Sequence, residues 1–163
     1  MRLFFALWPP LEAARALAGW AAPLGGRPVP AQNIHLTLAF LGAAQAAPAA
    51  AAARRARGAP HRLPLEQARY WRRSEIVWAG PRATPPALES LVQSLHLELF
   101  RAEFILERRP FVAHVTLARK APPPGMLPAL PPIDWPVHEF TLVRSHPQAA
   151  GSIYEVLEAF ALQ

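Results

Sequence analysis

Apolar residues in this chain switch between a two-residue and a three-to-four-residue period, and the switches mark its elements. Residues 2–7 (RLFFAL) read as a strand, stopped by Pro9-Pro10. Residues 11–22 read as a helix ending in a loop from Pro23 to Pro30 that contains Gly25-Gly26. Residues 33–41 read as a strand closed by Gly42, and the alanine-rich stretch 43–57 as a second helix. Pro48 sits in the first turn of that helix, where a missing N–H costs little. A strand pair is expected near 63–69 and 75–79, punctuated by Gly80-Pro81. Residues 85–101 form the strongest helix, with Leu88, Leu91, Val92, Leu95 and Leu99 at three- and four-residue spacings. Residues 111–120 read as a strand, followed by a proline-rich loop through Pro132. Two final strands, 137–145 and 153–161, meet at a turn in Ala149-Ala150-Gly151, although the tail from Glu158 can also start a short helix. Strands and helices alternate loosely, which makes the class α+β or α/β.

The two halves echo each other. His35-Leu36-Thr37-Leu38-Ala39-Phe40 and His114-Val115-Thr116-Leu117-Ala118-Arg119 are identical at four of six positions and lie 79 residues apart. Two units at half-length spacing imply two similar lobes, since a solenoid needs three or more. In a flat strand His35, Thr37 and Ala39 share one face and Leu36 and Leu38 bury the other; the second copy repeats this with His114, Thr116 and Ala118. Each strand then offers an imidazole and a hydroxyl about 6–7 Å apart, with a small alanine leaving room for a ligand.

Two such strands side by side would line a cleft with two His and two Thr. Histidine exchanges its proton near neutral pH. Two imidazoles on opposite sides of a phosphorus permit in-line displacement, one taking the proton of the attacking water and the other protonating the leaving oxygen. Threonine hydroxyls can donate to the non-bridging oxygens, and Arg119 can add a fixed positive charge. A zinc site is the rival chemistry. It normally needs three protein ligands, there is no cysteine, and only Asp134 or Glu139 is left to complete one.

Composition changes this picture little. A chain of 163 residues suits a single domain or two small lobes, and without cysteine it has no disulfide framework. The apolar start is too short for a signal peptide and no run reaches the ~18 residues of a membrane span, so a cytoplasmic protein is expected. The net charge is +6, with Lys120 the only lysine. That favours a polyanionic partner, although a GC-rich genome also produces arginine, alanine and proline.

The paired motifs resemble those of the 2H phosphoesterase superfamily, and the wider pattern is similar to its RNA 2′,3′-cyclic phosphodiesterases, also called 2′-5′ RNA ligases. The resemblance covers nearly the whole chain. It is carried by residues 2–7, by 33–42 (NIHLTLAFLG), by 109–119 (RPFVAHVTLAR), and by Leu142-Val143-Arg144-Ser145 with Gly151 and Tyr154. It implies one bilobal domain over residues 1–163, two pseudo-symmetric lobes each with an antiparallel sheet flanked by helices, and a cleft carrying one His-x-Thr motif per lobe. It implies metal-independent hydrolysis of RNA 2′,3′-cyclic phosphate ends to 2′-phosphates, without cofactor, by a monomer. tRNA fragments are among the candidate substrates. By this similarity His35 protonates the departing 3′-oxygen, His114 activates water, Thr37 and Thr116 hold the phosphate, and Phe40 and Arg119 contact substrate. Two alternatives remain: ligation by the same two histidines, and a non-catalytic RNA-binding module. Ala113 replaces the family's usual proline. Phe40 and Arg119 lie five residues after their histidines, so a flat strand would aim them away from the cleft, and their role requires a bend or bulge, or a strand end.

Other residues have simpler readings. Phe5 is expected in the core, while Trp8 is a candidate for stacking a base. Arg54, Arg55 and Arg57, and the run Arg69-Tyr70-Trp71-Arg72-Arg73, are either RNA-binding patches or solvated faces. His61, His96 and His138 carry no hydroxyl pattern, and His146 and Tyr154 are candidates for the cleft rim.

Overall fold

The first strand alternates strictly. In the computed structural model, which describes residues 1–163, β1 (Arg2–Leu7) buries Leu3, Phe5 and Leu7 in a core cluster of 31 residues. Phe4 and Ala6 point the other way, into a small cluster with Val143, Trp8 and Tyr154. The remaining strands are β2 (Arg27–Pro28), β3 (Leu36–Ala43), β4 (His61–Arg62), β5 (Gln67–Trp71), β6 (Ile76–Gly80), β7 (Val115–Arg119), β8 (Pro136–Val137), β9 (Glu139–His146) and β10 (Ile153–Ala161). The helices are α1 (Leu11–Ala21), α2 (Ala46–Arg55) and α3 (Pro86–Arg101). All five apolar positions expected to face inward from α3 are buried. The tail from Glu158 stays in β10, through Ala161, and forms no helix.

The two sheets expected from the echo are joined into one antiparallel sheet, in the order β10-β9-β1-β3-β7-β6-β5, with β2 added beside β7 and β4-β8 forming a separate pair. The joint is a single residue pair, Leu36 opposite Val115. Beyond it β3 turns to pair with β1 and β7 with β6. The helices cross over: α1 follows β1 but contacts β7, and α3 follows β6 but contacts β3.

Both echoed strands start later than their pattern suggests. Asn33 belongs to a short 3-10 turn (Ala31–Asn33), so β3 begins at Leu36 and β7 at Val115, each one residue after its histidine. Both strands are also bulged at the same place. Ala6 pairs with Thr37 and Phe5 with Ala39, which leaves Leu38 as an extra residue. Trp78 pairs with Thr116 and Val77 with Ala118, which leaves Leu117 as an extra residue. Accordingly, the two strands begin with the same burial sequence: buried, half-buried, buried, buried, exposed.

A bulge places two residues opposite one and reverses the facing of everything after it. Ala39 and Ala118 therefore join the core and do not line the cleft. Phe40 and Arg119 turn to the side of Thr37 and Thr116. The bulge in β3 is tied down by α3, because His96 Nε2–H donates to the Leu38 carbonyl at 2.8 Å. Replacing His96 by alanine should lower the melting temperature by several degrees through the freed Leu38 carbonyl, with His96→Asn restoring part of the loss. An unchanged melting temperature in the alanine variant would remove this role.

Candidate active site

Leu36 and Val115 bury their side chains in the core, so their neighbours on either side face away from it. Continuing the antiparallel register by one residue sets His35 opposite Thr116 and Thr37 opposite His114 around that pair. The two histidines are then diagonal neighbours, typically about 7–8 Å apart between backbone positions, a span suited to flanking one phosphorus. The internal echo of the sequence thus becomes a local two-fold about Leu36–Val115.

Each imidazole is fixed in the same way. His35 Nδ1–H donates to the Asn33 carbonyl at 2.7 Å and His114 Nδ1–H to the Val112 carbonyl at 2.8 Å. A carbonyl only accepts, so Nδ1 carries the proton in both rings and Nε2 is the atom left for chemistry. The Thr37 hydroxyl lies 2.9 Å from His35 Nε2 and donates to it while that ring is neutral. The 3-10 turn before His35 and the non-helical segment before His114 bring these carbonyls under the rings, and this is what delays each strand.

Electrostatics tie the two halves together. Burial holds His35 down to about 4 from an ordinary 6.5; the Asn33 hydrogen bond opposes this, and the positive charge of Arg119 and then that of His114 add to it. Burial likewise lowers His114, opposed by the Val112 carbonyl and reinforced by Arg119. Arg119 thus acts on both imidazoles, and His114 acts on His35, across the joint. Both rings, held below 6.5, are largely neutral at pH 7, and an anion between them would raise both.

Two aromatic walls stand behind the histidines. His35 packs among Phe4 (5.0 Å between ring centroids), Trp8 (5.3 Å) and Tyr154 (5.3 Å, edge-on). Trp8 is held by its indole N–H, which donates to the Thr141 hydroxyl at 2.8 Å. Phe40, 48% exposed, stacks on Phe4 with the Arg2 guanidinium over its ring. His114 meets Trp71 edge-on at 4.8 Å and Trp78 at 6.2 Å. The structure thus brings His35, His114, Thr37, Thr116, Phe40 and Arg119 to one face. Trp8 and Tyr154 join them, while Phe5 is fully buried on the other side. Phe4 and Trp78 had not been singled out; the signal for Phe4 was its place between the buried Leu3 and Phe5, on the alternate face of the opening strand.

Other candidates lie elsewhere. His146 pairs with Glu155 on the β9–β10 hairpin, and Asp134 pairs with Arg62. Arg54 is bound to Glu158, and Arg55 to Glu98 together with Arg101, so these arginines fasten α2 to β10 and α3. No three His, Asp or Glu side chains converge as metal ligands, and no helix is long and apolar enough to cross a membrane.

Known proteins resemble this chain in sequence and in fold. A family model described as LigT-like phosphoesterase matches residues 7–78. The RNA 2′,3′-cyclic phosphodiesterase of Escherichia coli K12 is 38% identical over 176 residues, covering 99% of this chain and 96% of that protein. The protein of the same name from Thermus thermophilus is 36% identical, covering 100% of this chain and 91% of that protein. The crystal structure of E. coli LigT complexed with 3′-AMP superposes with a TM-score of 0.91 at 37% identity, covering 99% of this chain and 97% of that one.

Proposed function

The chain belongs to the LigT-like phosphoesterase family, and from that premise we propose that it hydrolyses 2′,3′-cyclic phosphate ends of RNA to 2′-phosphates, with His35 and His114 as acid and base. The observation that carries this reading is the matched pair of imidazoles, each locked by Nδ1–H to a carbonyl two residues back and each presenting Nε2 on the same face.

In the reaction, water approaches phosphorus from the His114 side. His114 Nε2 takes its proton as the new P–O bond forms. The P–O3′ bond breaks opposite, and protonated His35 gives its Nε2 proton to the 3′-oxygen, leaving phosphate on the 2′-oxygen. Each well-placed proton transfer contributes roughly 10²–10⁴-fold. Protonation of His35 also frees Thr37. Its hydroxyl no longer donates to Nε2 and turns to a non-bridging oxygen, where Thr116 and Arg119 add hydrogen bonds and charge as the negative charge grows. The lowered His35 fits this sequence, since the substrate's own anion supplies the field that keeps the acid protonated. RNA ends, including those of tRNA fragments, are the proposed substrates.

The test is direct. Incubation with an oligoribonucleotide ending in a 2′,3′-cyclic phosphate should yield a 2′-phosphomonoester, identified by ³¹P NMR. A 3′-phosphate product would reverse which oxygen leaves, and absence of turnover would defeat the proposal.

A further inference from the structure

We infer that the sheet face beside His114, formed by Trp71, Trp78 and Arg69 with Arg72 and Arg73 at the end of the same hairpin, binds a second nucleotide of the RNA, the one preceding the cyclic-phosphate nucleotide. The inference rests on the reading of the substrate as RNA and goes beyond it to residues and reach.

The β5–β6 register places these groups. Arg69 lies opposite Trp78, and Trp71 opposite Ile76, while Tyr70 and Val77 take the reverse face. Trp78 in turn lies opposite Thr116. The face that carries His114 and Thr116 therefore runs without interruption through Trp78 to Arg69 and Trp71 on β5, the outermost strand of the sheet. From β7 to β5 is two strand spacings, about 10 Å, a distance that the next nucleotide of an extended single strand can span with its base.

The two walls differ in what they can accept. Around His35, Phe4 is buried, and the half-buried Trp8 and Tyr154 pack on the ring and on each other, so their faces are already partly taken. Around His114, Trp71 is half-exposed and leads to an open edge. Trp71 rests on the buried Trp78 ring at 4.8 Å, which holds it as a surface on which a base can stack whatever its identity. The Trp78 indole N–H is buried and has no partner within the protein. Charge completes the match. Arg54, Arg55, Arg62, Arg101 and Arg109 are spent on carboxylates. Arg69, Arg72 and Arg73 are exposed and form no ion pair; Arg69 donates only to the neutral Gln67 side chain. A single-stranded RNA needs such a combination of stacking surface and unpaired arginines.

The experiment compares kcat/KM for a trinucleotide ending in a 2′,3′-cyclic phosphate with that for a nucleoside 2′,3′-cyclic monophosphate. The unaltered protein should prefer the trinucleotide. Trp71→Ala should reduce that preference by roughly tenfold, with Trp71→Phe retaining most of it. The triple variant R69A/R72A/R73A should also reduce it, and should flatten the log–log salt dependence of trinucleotide binding by about 2. An unchanged ratio in both the Trp71→Ala and the triple variant would overturn the inference. So would an equal fall on both substrates, which would make Trp71 a support for His114 alone. If the unaltered protein turns over neither substrate, the functional reading fails. The surface is then judged by fluorescence anisotropy with the same trinucleotide, where binding unaffected by the triple variant overturns it.

Discussion

His114→Ala should lower kcat on a cyclic-phosphate substrate by roughly 10²–10⁴-fold, and His35→Ala by a similar factor. In each case one proton transfer of a two-proton transition state has lost its carrier. KM should move only a few-fold, because Thr37, Thr116 and Arg119 remain to hold the phosphate. The double variant should be little worse than either single one, since both groups act in one step and their effects do not add. His35 is packed among Phe4, Trp8 and Tyr154, so its removal also leaves a hole. His35→Gln fills more of it and should melt closer to the parent while remaining as inactive. Retention of more than a tenth of the activity in either alanine variant, measured under saturating substrate, would remove that histidine from the chemistry.

Arg119→Gln should reduce kcat/KM by roughly 10- to 100-fold, the range expected for losing a charged hydrogen bond to an anion, and should also move the pH profile. The productive form needs one charged and one neutral imidazole, so activity follows a bell. In the free protein His35 titrates at about 4 and His114 below 6.5. The bell for kcat/KM should therefore lie below pH 6.5. The bell for kcat should sit higher, because bound phosphate stabilises both charged rings. Arg119 disfavours charge on both histidines. Its neutral replacement raises both, and both limbs of the kcat/KM bell should shift to higher pH. A profile that loses amplitude without shifting would place the guanidinium too far away to act on the rings.

Much of this site was legible in the chain. The repeated His-x-Thr-x-Ala pattern singled out the imidazoles and hydroxyls that the proposed reaction uses, because their chemistry is a property of side-chain type and the echo marks their pairing. The period of α3 identified its buried face, since a helix of this length presents one side to any core. The roles that the resemblance gives Phe40 and Arg119 also called for a bend, a bulge or a strand end, because both sit an odd number of residues after their histidines and face away on a flat strand.

Tertiary structure decided the rest. Alternation assigned Ala39 and Ala118 to the cleft, and the extra residues Leu38 and Leu117 move them into the core. Nothing local marks those positions as bulged; they are set by pairing with β1 and β6 and, for Leu38, by a histidine 58 residues away. Likewise Trp71 belongs to a run that reads as easily as a solvated hairpin, and only the register across β5, β6 and β7 lays it against His114. Side-chain chemistry and periodicity are fixed by nearest neighbours and survive in a single sequence. Which strands lie side by side, how far they slip and which helix crosses over are set by contacts between distant segments, and those arise only when the whole core closes.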